Sequence, residues 1–304
     1  MINFKPINQI DKKLYESYLF SEQGRGGELS YANLCMWGEH KVAIVENHLV
    51  LLSLYNGKYL YPFPMGNGDV VPVLEAIIAD ASERGIPCVL SSLTPEKATL
   101  LDELYPGKFE SHFKRASFDY VYATEKLAEL KGRKYHRKRN HYNRFCKNHP
   151  DFHVEPLSSK NAEQVKAFLD NWYKGRLEES PENDYAGEQT ALNRCFMNYE
   201  KLGMESLVLF HEGEILAFTM GSQLSPNTFD VHFEKARWDV EGAYTAINCE
   251  FAKYIRDKYP EIEFLDREED MGLEGLRKAK ESYFPHHMVE KGFAVLKETE
   301  DEYE

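Results

Sequence analysis

Cysteine is sparse. The five in 304 residues (Cys35, Cys88, Cys146, Cys195, Cys249) include no CxxC pair, which argues against a disulfide framework and against a thiolate zinc site. No apolar run approaches the roughly 20 residues that a membrane span needs. The opening stretch MINFKPINQIDKK lacks the apolar core of a signal peptide, so the cytoplasm is the expected location. GxSxG, a Walker loop and a Ser-His-Asp order are all missing, which leaves hydrolase and nucleoside triphosphatase readings little support. Cations are outnumbered as well: 37 Lys and Arg stand against 50 Asp and Glu, for a net charge of −13 that on its face opposes nucleic acid. What is present is ordinary for a globular chain, 42% hydrophobic and 29% charged. Its length exceeds what one hydrophobic core usually serves, so two domains of about 150 residues are expected.

The periodicity predicts a helix over Asp11–Phe20, then strands at 41–46, 49–55 and 58–63 joined by tight turns at Asn47-His48 and Asn56-Gly57. A helix capped by Asp69 and stopped at Gly85 follows, then a strand at 87–92, a helix opened by Thr94-Pro95, and a strand at 118–122. The second half repeats this order. Helices at 161–174 and 189–202 precede a three-strand meander (206–210, 215–223, 229–235), a helix at 242–258, a strand at 261–265, a helix at 272–281 and a last strand at 288–296. The repeat predicts an N-terminal domain over 1–150, including a basic linker helix at 131–148, and a C-terminal domain over 151–304. One large α+β domain is the alternative.

Negative charge is not uniform. From Lys131 to Lys147 there are eight Lys or Arg and no acid, interleaved with Tyr135, His136, His141, Tyr142 and Phe145. On a helix, Tyr135, Tyr142 and Cys146 form a narrow apolar stripe with cations around it. Arg133, Lys134, Arg137 and Arg139 are the candidates for holding phosphates of an RNA backbone, a CoA or a lipid head group. The other reading is a solvated helix neutralising an acidic body. The strand at 229–235 alternates, placing Asp230, His232 and Glu234 on one face, with His232 and Glu234 as candidate general bases or a plain solvent face as the alternative. The acids between Asp266 and Glu274 lack the spacing of a calcium loop and read as decoration of a helix N-terminus, so no metal is assigned.

Three stretches carry a family likeness. LKGRKYHRKRNHYNRF (130–145), GAYTAINCEFAKYI (242–255) and DREEDMGLEGLRKAKESYFP (266–285) resemble segments of uncharacterised proteins related to the C-terminal domain of phosphatidylglycerol lysyltransferase. The resemblance implies an α+β fold of two tandem GNAT-like domains (the acyl-CoA N-acyltransferase fold), each a mixed, mostly antiparallel sheet flanked by helices. It is distantly similar to the Fem aminoacyltransferases. It further implies transfer of an activated acyl or aminoacyl group to an amine or hydroxyl, from an anionic donor that is an acyl-CoA thioester or an aminoacyl-tRNA. A non-catalytic protein holding an anionic partner through the basic helix is the alternative, and oligomeric state is left open. By likeness to the Fem enzymes, Lys280 stabilises an oxyanion, and by likeness to GNAT enzymes Tyr283 protonates a leaving group; a packed Tyr283 and a solvated Lys280 is the bland alternative. In CoA-dependent GNAT enzymes the strand-to-helix turn reads Q/R-x-x-G-x-G/A, which maps onto Arg237–Ala243. Arg237 and Gly242 match, and these two with Ala243 are the cofactor-binding candidates. Val240 stands where a glycine belongs, however, and Asp239 and Glu241 would repel a pyrophosphate, so acetyl-CoA binding is expected to be weak; a plain helix cap is the other reading.

Overall fold

The computed structural model describes residues 1–22, 24–55, 57–179 and 185–297. The chain forms two compact units. The first comprises Met1–Asp119, Glu269–Glu274 and the chain from Met288 onward; the second comprises Tyr120–Glu268 and Gly275–His287. Residues 120–150, expected with the N-terminal half, are thus grouped with the second unit.

In the first unit, strand β1 (Lys5–Pro6) and helices α1 (Lys12–Leu19) and α2 (Tyr31–Met36) precede the meander β2 (Glu39–Val45), β3 (His48–Tyr55) and β4 (Lys58–Pro62), with β5 (Met65–Gly66) on β3. The β2–β3 turn is Glu46-Asn47, one residue earlier than expected. Both residues sit at positive φ (46° and 60°), a region asparagine tolerates, and the turn matches the strand twist. Of the next expected turn, Asn56 lies outside the described residues. Helix α3 (Val71–Arg84) is stopped by Gly85 at φ 66°. Strand β6 (Val89–Leu93), helix α4 (Pro95–Leu104) and strand β7 (Phe109–Phe113) follow, with Thr94 Oγ1 accepting from Lys97 N at 3.3 Å as the cap of α4. Val73, Leu74 and Ile77 of α3 join Val50, Leu52, Tyr61 and Leu90 of the sheet in the core.

The chain continues through β8 (Asp119–Ala123), α5 (Thr124–Glu129), the basic helix α6 (His136–Asn148) and β9 (His153–Glu155). Next come α7 (Ala162–Glu179), α8 (Ala186–Leu202) and the meander β10 (Glu205–His211), β11 (Glu214–Ser225) and β12 (Thr228–Ala236). It ends with α9 (Ala243–Lys258), β13 (Phe264–Asp266), α10 (Glu274–Glu281), β14 (His287–Val289) and β15 (Gly292–Leu296).

One sheet has the order β1-β2-β3-β4-β6-β15-β7 and the other β14-β8-β13-β12-β11-β10-β9. In each, the third meander strand is followed by a helix and a parallel strand: β4 beside β6, β12 beside β13. The next position is filled from elsewhere in the chain. β15 inserts antiparallel between β6 and β7, while β8 lies between β13 and β14. The single strand expected at 288–296 is therefore two strands in two sheets, parted at Glu290-Lys291. The break has a cause in charge. Lys291 is 9% exposed and places its ammonium 2.7 Å from Glu28, 2.8 Å from Asp119 and 3.4 Å from Glu269. A buried lysine needs such partners, and a regular strand would not bring it to them.

Candidate active site

The site forms where β12 and β13 part. They are parallel and pair only over Thr228–Asp230 against Phe264–Asp266; β13 then ends, while β12 runs on to Ala236. Among the described residues that edge of β12 has no further strand partner, and side chains fill the gap. On its other edge β12 carries an extra residue. Met220 of β11 faces Phe233 and Gly221 faces Val231, which leaves His232 in a β-bulge. A side chain at Gly221 would collide with the carbonyl of Asp230, so glycine is what lets the strands close over the bulge. Bulges re-aim side chains, commonly beside functional sites.

Glu234 reaches across the gap. Its Oε1 accepts from Arg267 Nη2 at 2.8 Å, and its Oε2 accepts from Asn248 Nδ2 of α9 at 3.2 Å. The Glu234 and Arg267 side chains are only 12% and 13% exposed, so their attraction is little screened. The guanidinium lies 5.1 Å from the ring centre of Tyr283 and 5.6 Å from that of Tyr122, and its Nη1 is buried without a hydrogen-bond partner. Burial works to lower the basicity of Arg267, but Glu234 and the two phenols outweigh it and hold it above its ordinary value. Lys138 of α6 lies 3.7 Å from the centre of the Tyr283 ring. Burial, and then repulsion from Arg267, pushes Lys138 down to about 8. Burial pushes the Tyr283 phenol up to about 12, and its hydroxyl faces Thr245 Oγ1 at 3.4 Å. One carboxylate, a guanidinium, a lysine that titrates near neutrality and a protonated phenol thus share a partly dehydrated gap. Such a gap suits negative charge that develops on a bound group.

The four catalytic candidates gather around one segment, Arg267-Glu268. Glu234 and Tyr283 both engage the Arg267 side chain. Lys280, 8% exposed, donates from Nζ to the carbonyls of Arg267 and Glu268. It is neither solvated nor directed at open space; it pins the segment that carries Arg267. His232 has a fully buried side chain: Nε2 meets Ser222 Oγ at 2.8 Å, and Nδ1 faces Asp230 at 3.3 Å and Glu268 at 3.4 Å. With no exposed surface it is badly placed to take a proton from a substrate.

The turn Arg237–Ala243 leads into α9, whose N-cap is Gly242 with no side chain bonded to the cap amides. Arg237 forms a two-point ion pair with Asp239 (3.0 and 2.6 Å), and the amides of Val240 and Ala243 bond to the carbonyls of Arg237 and Val240. Gly242, at φ 86°, is required by the approach of α6: an added Cβ would meet the His141 carbonyl at 2.8 Å. Arg144 of α6 pairs with Glu241 at 2.5 Å. Beside this turn, Phe168 and Trp172 of α7 with Trp238 and Arg237 line a cavity of about 560 Å³.

In the basic segment, Arg133, Lys134 and Arg137 are exposed. Lys134 lies 5.3 Å from the ring of Phe284, and Arg139 donates to the carbonyls of Leu130 (2.6 Å) and Gly132 (3.2 Å), which makes Arg139 a loop clamp. The buried stripe runs through Tyr135 and Phe145; Cys146 is only partly covered.

Residues 21–295 match the sequence model of the phosphatidylglycerol lysyltransferase C-terminal family. The chain belongs to this family. A conserved protein of unknown function from Bacteroides thetaiotaomicron VPI-5482 has a solved structure that is 35% identical with a TM-score of 0.93, covering 98% of this chain and all of that one. The structure of L-PGS from Bacillus licheniformis is 15% identical (TM-score 0.69, 94% and 91% covered), and FemX is 11% identical (TM-score 0.64, 95% and 96% covered); these two likenesses concern the fold. The fold is the tandem GNAT arrangement, and the family takes its name from a lysyltransferase. An uncharacterized protein of Mycoplasmoides gallisepticum is 22% identical over 177 residues, 58% of this chain; the match spans about half (55%) of that curated relative. Among the described residues no helix is long and apolar enough to cross a membrane.

Arg267, Lys138 and Asn248 were not selected from the sequence of this family member. Lys138 could have been: it lies three residues after Tyr135 and four before Tyr142, on the helix face that turns inward. Arg267 and Asn248 had no such signal, because their role depends on where β13 stops.

Proposed function

We propose that the chain is an aminoacyltransferase whose reacting site is the Glu234–Arg267–Tyr283–Lys138 cluster. An amine or hydroxyl acceptor attacks the carbonyl of an activated ester. Its proton passes to the neutral amine of Lys138, and negative charge gathers on the carbonyl oxygen opposite Arg267 Nη1. The carbon–oxygen bond to the donor then breaks, with Tyr283 protonating the departing hydroxyl. Glu234 keeps the guanidinium oriented. The observation that carries this reading is a buried guanidinium clamped by Glu234 and two aromatic rings with one nitrogen uncommitted, since an oriented donor of this kind is worth about 10²–10³ in rate. The paired acids of the 237–243 turn argue against a CoA pyrophosphate. The exposed Arg133, Lys134 and Arg137 favour a polyanionic carrier of the ester, such as tRNA. The family name makes a phosphatidylglycerol hydroxyl one acceptor to try.

The test supplies radiolabelled lysyl- and alanyl-tRNA to the full chain with phosphatidylglycerol vesicles or free amines. Transfer that falls at least about 100-fold in Arg267→Gln is expected. Undiminished transfer in that variant would overturn the assignment, as would acetyl-CoA bound with a Kd near or below about 1 μM, roughly −8 kcal/mol.

A further inference from the structure

The buried end of β12 and the segment after β13 bring together a second group of side chains, apart from the Arg267 guanidinium. Asp230, His232 and Glu268 each place a donor atom so that all lie within 4.8 Å of one another. His232 Nδ1 stands 3.3 Å from Asp230 Oδ2 and 3.4 Å from Glu268 Oε1. The two distances from Nδ1 are those between neighbouring atoms of a coordination shell. With metal–nitrogen and metal–oxygen bonds of about 2.1 Å, adjacent ligand atoms of a tetrahedral or octahedral ion lie roughly 3.0–3.4 Å apart. The other ring nitrogen is already engaged, 2.8 Å from Ser222 Oγ. Metal-ligating histidines are held in this way, because the outer contact fixes which nitrogen is presented. The bulge that sets His232 out of register aims the ring at the two carboxylates.

Charge points the same way. Asp230 and its strand neighbour Asp266 are both 0% exposed, and Glu268 is part-buried. The ammonium of Lys280 is held on the carbonyls of Arg267 and Glu268, on the same segment as the Glu268 carboxylate. Carboxylates taken out of water require cations close by.

We propose that Asp230, His232 and Glu268 bind one divalent transition-metal ion, zinc or manganese. A set of one imidazole and two carboxylates suits these ions. Glu268, whose side chain is 30% exposed, is the side from which the ion enters. A bound ion fixes Glu268, and through the peptide bond it fixes the neighbouring Arg267 against Glu234. The site is therefore a positioning device, and its existence does not depend on which group the enzyme transfers.

The experiment is calorimetric titration of the metal-stripped full chain with zinc chloride and with manganese chloride, repeated on His232→Gln and on Ser222→Ala. One equivalent of one ion should bind with a Kd at or below about 1 μM. His232→Gln should abolish this binding, and Ser222→Ala should weaken it about tenfold, the usual loss when an outer-shell contact is removed. The ¹⁵N resonance of His232 Nδ1 should shift on binding. Ser222→Ala removes only a hydroxyl, so it reports even if His232→Gln fails to fold. The proposal is overturned if neither ion binds stoichiometrically and the Nδ1 resonance is unmoved at excess metal. It is equally overturned if the His232 variant binds as the parent does, which would place the ion elsewhere, for example on the exposed His286-His287 pair, whose Nδ1 atoms are 2.9 Å apart. Transfer activity enters none of these readouts, so this proposal and the aminoacyltransferase reading fail separately.

Discussion

Replacing Lys138 with methionine should make the protein more stable at pH 7 and a poorer catalyst. An ammonium that ordinarily titrates at 10.5 and here titrates at about 8 is disfavoured by roughly 3 kcal/mol. Lys138 is only partly buried, and solvent screening reduces that to ~1–2 kcal/mol. The contact with the Tyr283 ring at 3.7 Å returns about 0.5–1 kcal/mol. Removing the ammonium therefore stabilises the fold by ~1 kcal/mol, a rise of about 2–4 °C in Tm for a protein of this size. The sign follows from the direction of the shift. Below pH 8 the lysine is charged in both folded and unfolded chains, and the fold carries the whole cost. Between 8 and 10.5 the folded chain alone loses the proton, so the stability of the parent climbs relative to Lys138→Met. Denaturant melts of both proteins from pH 7 to 10.5 read this directly, because every other titrating group is common to the two and cancels in the difference. In the transfer assay, parental activity should rise through pH 8 as the free amine appears, and the variant should lack that limb. A variant less stable at pH 7, with a difference that does not change up to pH 10.5, would refute the account of Lys138 as a partly dehydrated lysine.

Four further outcomes are expected. Gly242→Ala forces a Cβ to 2.8 Å from the His141 carbonyl at φ 86° and should cost about 1–3 kcal/mol in a thermal melt, with α6 loosened first. Glu234→Gln leaves a buried guanidinium without its counter-charge and should cost about 2–3 kcal/mol by urea denaturation. Lys280→Met removes the ammonium from the carbonyls of Arg267 and Glu268 and should lower stability by about 2–4 kcal/mol. A kcat loss above about 100-fold with Tm unchanged would instead return the oxyanion role to Lys280. Changing Arg133, Lys134 and Arg137 together to glutamine should flatten the salt dependence of tRNA binding by about 2 in log–log slope, at about 0.7 per phosphate, while melting is unchanged; an unaltered slope would mean these cations touch no phosphate.

Local chemistry in this chain was legible from the residues themselves. Thr94-Pro95 opens α4 and Gly85 closes α3 because caps and left-handed positions are decided within a few residues. Arg237 and Asp239, which pair within the 237–243 turn, stand only two residues apart. Pairing over long distances was not legible. Nothing in DYVYA (119–123) states which sheet it joins, since beyond Asp119 it is apolar or aromatic on both faces and would be buried in either. The two-strand break at Lys291 was hidden because Met288–Leu296 is apolar enough to pass for one strand. Within the site, Glu234, Tyr283, Lys280 and His232 could be nominated from residue type and likeness. The residue they surround could not, because Arg267 acquires its place from the early end of β13. The bulge at His232 was invisible for a related reason: strict alternation along 229–235 was assumed, and one extra residue on a strand leaves no mark in hydrophobicity.

The exchange of closing strands bears on how the chain is made. Gly292 of β15 pairs with Leu93 of β6, about 200 residues earlier, and β15 separates β6 from β7. A ribosome that has released the first 119 residues has therefore delivered a sheet with a missing member, and the edges of β6 and β7 wait until residues 292–296 emerge. Contacts so distant in sequence form slowly, and unpaired edges left open meanwhile invite association with other chains. A fragment ending before Gly292 should accordingly aggregate when expressed, whereas adding a peptide spanning 288–297 during refolding should rescue it. Residues 292–296 thus govern whether the first unit matures at all.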